Sequence, residues 1–495
     1  MVKHHNWKWI AFCILCYPFT PQALAQTIVP GDPLKGSGSV SRTLLLATEL
    51  LNGISNAPIS ESAFALPPDS AKPTYHFSGK LELLNEATQG GFQAVRDRYG
   101  YVSDPTWKHL PEFNFSFVQN GSHLIPARQG LIYTQHPHWN YWLGVGRVWR
   151  EKGDGNWSRA TVPFALVERN QNAAHNGVMM LLFNKTKVSQ VRYQITQETC
   201  TWFQCNMWGQ LKAKYTPALV DHTLDLQNAY AREVSNRYPV KPLSELTTDY
   251  PNSNVNPNVF GNGLTPAHRT AYGLLVRGTH YVGEYRTRYG QYPYPEAMCL
   301  PSYSLAKSAF ASVALMRLAQ VYGESIADLK IADYLPEAKQ SIGNWAKVTF
   351  RNALNMATGH YNSPYFMMDE NSVAMSTNFF VPESYANKLQ GALKNPQRNT
   401  PGTQWVYRTA DTFLLMQALQ NFLKSKVGNS ADLFQILSTE VYAPLGMSQS
   451  AMSCLRTDNS PEGKPLGGYG LFLTREDVVK LASLLNNQNG KIGKT

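Results

Sequence analysis

The sequence predicts a mixed α/β (α+β) fold, and three observations carry that reading. From about Pro73 to Tyr215, short runs alternate apolar and polar residues between turn clusters, the period-2 signature of strands. From about Ser304 onward the pattern is mostly helical, starting with an Ala-rich apolar run that reaches about Tyr322. Between them, residues 238–266 hold five prolines, many asparagines and little apolar periodicity, and read as a linker. A chain of 495 residues exceeds one ordinary domain, so two are expected. A hydrophobic content of 43% supplies enough apolar surface for sizeable cores and argues against global disorder.

Residues 1–25 have the layout of a secretory signal. Lys3 and Lys8 are basic, Trp9 to Phe19 is apolar, and Ala23-Leu24-Ala25 is a small-x-small cleavage site. The apolar run is too short to span a bilayer, so the expected product is periplasmic or secreted, cleaved after Ala25, with no integral membrane span. Leu15 before Cys16 is too large for a lipoprotein cleavage site. Losing the two lysines takes the net charge from +11 to +9. No dense Lys/Arg run or nucleic-acid motif accompanies that charge, which reads as scattered surface groups and excludes a nucleic-acid partner.

Residues 26–237 form the expected β-rich N-terminal domain, a sandwich or similar sheet. It begins with a Gly/Pro/Ser-rich lead-in and a short helix over Thr43–Leu51. Phe113–Phe117, Tyr141–Trp149, Ala160–Glu168, Val178–Phe183 and Gln190–Thr196 are strand candidates, and Asp221–Arg237 an amphipathic helix. Beyond the linker, Tyr272–Val276 and Tyr281–Tyr285 read as a strand pair around Arg277-Gly278-Thr279.

The signal's removal leaves Cys200, Cys205, Cys299 and Cys454. In an exported protein an even count points to disulfides, Cys200 with Cys205 and Cys299 with Cys454; buried free thiols are the equal alternative for the second pair. The spacing is not that of a zinc site. His136-Pro137-His138 lacks a third ligand and reads as surface histidines, so no metal and no cofactor are expected.

The chain's one Ser-x-x-Lys, Ser304-Leu305-Ala306-Lys307, sits where a loop through Pro301 and Ser302 leads into the Ala-rich helix. Residues i and i+3 share a helix face, so hydroxyl and amine can meet. A serine becomes a nucleophile when a neighbouring base takes its proton, and burial makes a lysine easier to deprotonate.

From about Gly273 onward the chain resembles the serine β-lactamase and penicillin-binding-protein superfamily, in the branch of class C β-lactamases, D-alanyl-D-alanine carboxypeptidases and related esterases. Ser304 to Lys307 is similar to its nucleophile motif. Ile331 to Glu337, Val348 to Phe350, Leu354 to Gly359, Pro401 to Tyr407, Pro444 to Met447 and Gly468 to Asp477 resemble later segments of the family in order. The resemblance implies an antiparallel sheet packed against helices and an acyl-enzyme mechanism. In it Ser304 attacks a carbonyl, Lys307 helps deprotonate it, Tyr407 passes the proton on, and the Ser304 N–H forms half of an oxyanion hole. The implied substrate is a small amide or ester, such as a cell-wall peptide.

Two departures follow. Where the family has Tyr-x-Asn, this chain has Tyr407-Arg408-Thr409, which puts Thr409 in the substrate-binding position and Arg408 at the surface. The third motif, Lys-Thr-Gly or His-x-Gly, has no good match, since Lys491-Ile492-Gly493 follows a helix and sits in a turn. The hydrolase domain, residues 267–495, is therefore expected to lack its C-terminal part. The alternative function is a catalytically inactive binding or scaffold protein of the same fold.

Overall fold

A computed structural model describes residues 29–492 apart from 31, 33, 85–88 and 342. The signal expected over residues 1–25 and the terminal Gly493, Lys494 and Thr495 lie outside the described residues.

The β-rich stretch forms one sheet of 12 strands. These are β1 (Ser78–Leu83), β2 (Gln89–Asp97), β3 (Asn114–Asn120), β4 (His123–Pro126), β5 (Gly130–Ile132) and β6 (Trp139–Leu143). They continue with β7 (Gly146–Trp149), β8 (Ser158–Glu168), β9 (Ala174–Phe183), β10 (Val191–Glu198), β11 (Phe203–Leu211) and β12 (Ala213–Pro217). The main path runs β12-β1-β3-β4-β7-β8-β9-β10-β11-β2, and β5 and β6 attach through β8. All of these pairings are antiparallel, as in β8 and β9, where Phe164 faces Gly177.

Strands β8, β9 and β10 are buried along their whole length. Successive side chains leave a strand on opposite faces, so a strand buried on both sides must serve two cores. In β8, Val162, Phe164 and Leu166 enter the core enclosed by the sheet, while Ala165 and Val167 join the core of the helical half. Trp142 of β6 and Ala174 of β9 cross into that second core as well, against residues such as Ala306 and Phe310. The sheet's outer face is therefore the floor on which the helical half packs.

The stretch read as a linker carries structure of its own. Val240–Pro242 pairs in parallel with Thr279–Val282, which pairs antiparallel with Gly273–Val276. That hairpin is the expected strand pair, and Arg277 and Gly278 both take the left-handed conformation that a two-residue turn demands. The expected helices appear as Ala47–Asn52 and Thr223–Ser235.

In the helical half, Thr409–Val427 is the central helix, buried along most of its 19 residues. Arg475–Asn486 starts on a capping box in which Thr474 and Asp477 satisfy each other's backbone N–H groups. Among the described residues no helix is long and apolar enough to cross a membrane.

Candidate active site

Leu300–Pro301 pairs with Phe472–Leu473, and this fixes the start of the Ser304 segment. A tight turn over Tyr303–Leu305 follows, then a wide π-helical turn over Lys307–Ser312, then the α-helix Val313–Tyr322. π-Turns inside helices are frequent at functional sites. Ser304 is exposed to a cleft of about 800 Å³, whereas Lys307 is buried behind it.

The structure brings the four residues singled out from the sequence together. Lys307 Nζ lies 3.0 Å from Ser304 Oγ, 2.8 Å from Thr409 Oγ1 and 3.3 Å from the Gly468 carbonyl oxygen. It also sits 4.8 Å from the centre of the Tyr407 ring, and the Tyr407 hydroxyl is a hydrogen-bond partner of Ser304. Gly468 is glycine because its backbone runs against the central helix: a Cβ there would lie 2.4 Å from Thr412 Oγ1.

Burial pulls the Lys307 pKa down to about 8, against the opposing pull of Glu370 and Asp411. The geometry then selects a direction for its lone pair. Thr409 commits its own proton to Glu370, so its oxygen can only accept from Lys307. The Gly468 carbonyl also only accepts. A neutral amine whose two protons go to these acceptors turns its lone pair towards Ser304. Thr409 thus orients the lysine. Glu370, which fixes Thr409 through the Thr409 N–H (2.9 Å) and hydroxyl, is the residue that sequence reasoning missed. Its position 39 residues upstream left no local signal.

Tyr407 is half-buried beside Ser304. Burial raises its pKa, opposed by the Ser304 bond, and Glu370 adds to the rise. At neutral pH the phenol is therefore a proton donor, and Lys307 is the group with a basic form within reach. Arg408 corrects the sequence reading. It is 1% exposed rather than at the surface, and forms buried ion pairs with Asp369 and with Asp411 (3.4 Å). Burial raises the Asp411 pKa to about 6 despite that arginine.

The four cysteines are free and buried, so neither expected disulfide is formed. Cys200 Sγ approaches Glu168 (3.6 Å) and Cys205 Sγ approaches His175 (3.9 Å), so the two thiols are directed at different partners.

The sheet reaches the site through the turn between β8 and β9. Asn172 Oδ1 accepts from the Tyr303 N–H (2.7 Å), the Gly470 N–H (2.9 Å) and the Ser302 hydroxyl (3.0 Å), while its amide donates to the Leu471 carbonyl (3.0 Å). Tyr303, next to Ser304, has φ 43°, a left-handed conformation unusual for a tyrosine, and its hydroxyl donates to the Thr199 carbonyl at the end of β10. Two neighbours of Asn172 grip the opposite rim. Arg169 pairs with Glu383 (2.7 Å), and Asn170 donates to the carbonyls of Phe380, Val381 and Pro382.

Residues 268–490 match the family model for Beta-lactamase. The matched segment contains Ser304, Lys307, Glu370, Tyr407, Thr409 and Gly468, and the Asn172 turn lies outside it. Among solved structures, the chain is similar to a protein assigned as a 6-aminohexanoate-dimer hydrolase from Bacillus anthracis, at 16% identity over 52% of this chain and 64% of that one, with a TM-score of 0.37. It is also similar to EstCE1, a hydrolase with promiscuous acyltransferase activity (14% identity, 54% and 74% coverage, TM-score 0.33). A D-stereospecific amidohydrolase from Streptomyces sp. follows at 16% identity, 38% and 60% coverage and a TM-score of 0.27. The chain spans 64% of the length of the first of these. No curated protein matches it.

Proposed function

We propose that the protein is an exported serine hydrolase that cleaves an amide or ester through an acyl-serine intermediate. The observation that carries this reading is the contact set of Lys307, whose amine has two fixed acceptors and one remaining direction, towards Ser304 Oγ at 3.0 Å. Neutral Lys307 takes the Ser304 proton as Oγ bonds to the substrate carbonyl carbon, and the carbonyl oxygen becomes an oxyanion facing the Ser304 N–H. The carbon–leaving-group bond then breaks, and the leaving group takes a proton from Tyr407, which is resupplied by Lys307. Water adds to the acyl carbon and gives one proton to Lys307; the carbon–Oγ bond then breaks as Lys307 returns that proton to Ser304 Oγ, releasing the acid and regenerating neutral Lys307 and free Ser304. The export and the placement in the periplasm or outside the cell rest on the signal-like residues 1–25. Cell-wall peptides belong to the substrate class this reading admits.

An inactive scaffold of the same fold would have no need of a lysine that burial brings near neutrality. A fluorophosphonate probe separates the two: the wild type labels and Ser304→Ala does not. Equal labelling of both would remove Ser304 from the reaction.

A further inference from the structure

The cleft beside Ser304 is built by both halves of the chain, and its walls have a definite chemistry. Tyr99, Tyr101 and Trp202 come from the sheet half, Phe366, Phe380 and Val381 from the helical half. The apolar character continues to the rim, where Tyr99 is 65%, Phe366 72% and Val381 65% exposed, and Trp405 stacks on Phe366. Exposed apolar side chains concentrated around a pocket mark a binding surface rather than ordinary solvent-facing residues. Among the described residues lining this cleft there is no arginine, lysine or histidine, and its one acid, Glu370, is committed to Thr409. Arg96, Arg269 and Arg288 line a second cleft that shares Trp202 and Tyr303 with this one, and there Arg288 is paired with Glu198.

We infer that the substrate is an uncharged ester or amide with a bulky apolar acyl group, held against an aromatic wall that the sheet half supplies. A terminal carboxylate on that group would give up hydration against walls whose described residues include no cationic side chain, which disfavours its binding relative to an apolar end. Each methylene that the wall covers is worth about 0.8 kcal/mol, or roughly fourfold in rate constant. The inference rests on the acyl-serine reading of Ser304, and it names that site's substrate class.

The test is the second-order rate at which Ser304 is phosphonylated by p-nitrophenyl phosphonates carrying a methyl, an octyl or a carboxyheptyl group. The octyl reagent is expected to react at least about tenfold faster than the methyl one, and the carboxyheptyl reagent at least about tenfold slower than the octyl one. In Trp202→Ala and Phe366→Ala the octyl-to-methyl ratio is expected to fall about threefold or more. Phe366 is 72% exposed, so its replacement leaves folding intact and keeps the test valid if Trp202→Ala fails to fold. Labelling of Ser304 with equal rates for all three reagents, or a ratio unmoved in Phe366→Ala, overturns this inference and leaves the acyl-serine reading standing. Failure of every reagent to label Ser304 overturns that reading, and the inference with it.

Discussion

The helical half carries its reacting groups on short local spacings, whereas the sheet half reaches the same cleft only through pairings distant in sequence. Ser304 and Lys307 are one helical turn apart, and Tyr407 and Thr409 flank the start of a single helix. Asn172 meets Tyr303 across 131 residues and Gly470 across 298. On the proposed reading, the helical half supplies the reacting groups and the sheet half holds them in place. The sheet is thus not an appended module: its β8–β9 turn is a clamp on the nucleophile loop, and its Trp202 is a wall of the cleft.

Substitutions in the two halves should therefore fail in different ways. The largest loss is expected at Ser304. Ser304→Ala should lower kcat on an ester substrate by about 10⁴-fold or more, with an unchanged melting temperature, since it removes one exposed hydroxyl. Lys307→Ala should cost about 10²–10⁴-fold, the usual range for a general base, and Tyr407→Phe should lie at the lower end of that range. These variants are compared by steady-state kinetics beside thermal denaturation.

Asn172→Ala tests the clamp. It removes the acceptor for three donors in a buried site, so we expect about 1–3 kcal/mol of destabilisation and roughly a tenfold fall in kcat with little change in KM. The control is Phe77→Leu, inside the sheet core and away from the cleft. It should lose stability without losing kcat. If the two variants have the same kcat at matched stability, Asn172 is structural only and the division of labour drawn here fails.

The smallest effect is a shift in pH dependence. The active form of Lys307 is the neutral amine, and its pKa is about 8, so kcat/KM should rise with pH and level off above about 8. Glu370 raises that pKa. Glu370→Gln removes the negative charge while keeping an acceptor for Thr409, so the rising limb should move to lower pH, by about one unit or less. A limb that stays put or moves upward would mean that Lys307 is not the titrating base.

Much of this was legible in the sequence. The β stretch is bounded to within a few residues, because turn clusters separate its apolar runs; the Ser304–Lys307 pair stands out by its local spacing, and Tyr407 and Thr409 by the family resemblance alone. Strands β2 and β11 were harder: Gly90, Gly91 and Gly209 interrupt the alternation that marks a strand. The double burial of β8 and β9 could not be read either, since Ala165 and Val167 look like ordinary sheet residues until the helical half is seen against them. Arg408 was misplaced for a related reason. A charged residue beside an aromatic reads as surface unless the buried acids that neutralise it, Asp369 and Asp411, are known to lie beside it.

On the proposed mechanism the Ser304 oxygen, deprotonated by Lys307, takes the acyl group. Rapid quenching with a slowly released p-nitrophenyl ester, followed by peptide mass mapping across a pH series, tests it most directly. One acyl adduct is expected, on the peptide containing Ser304, forming faster as pH rises towards 8 and absent in Ser304→Ala. An adduct on another residue, or the same adduct yield in Ser304→Ala, would contradict it.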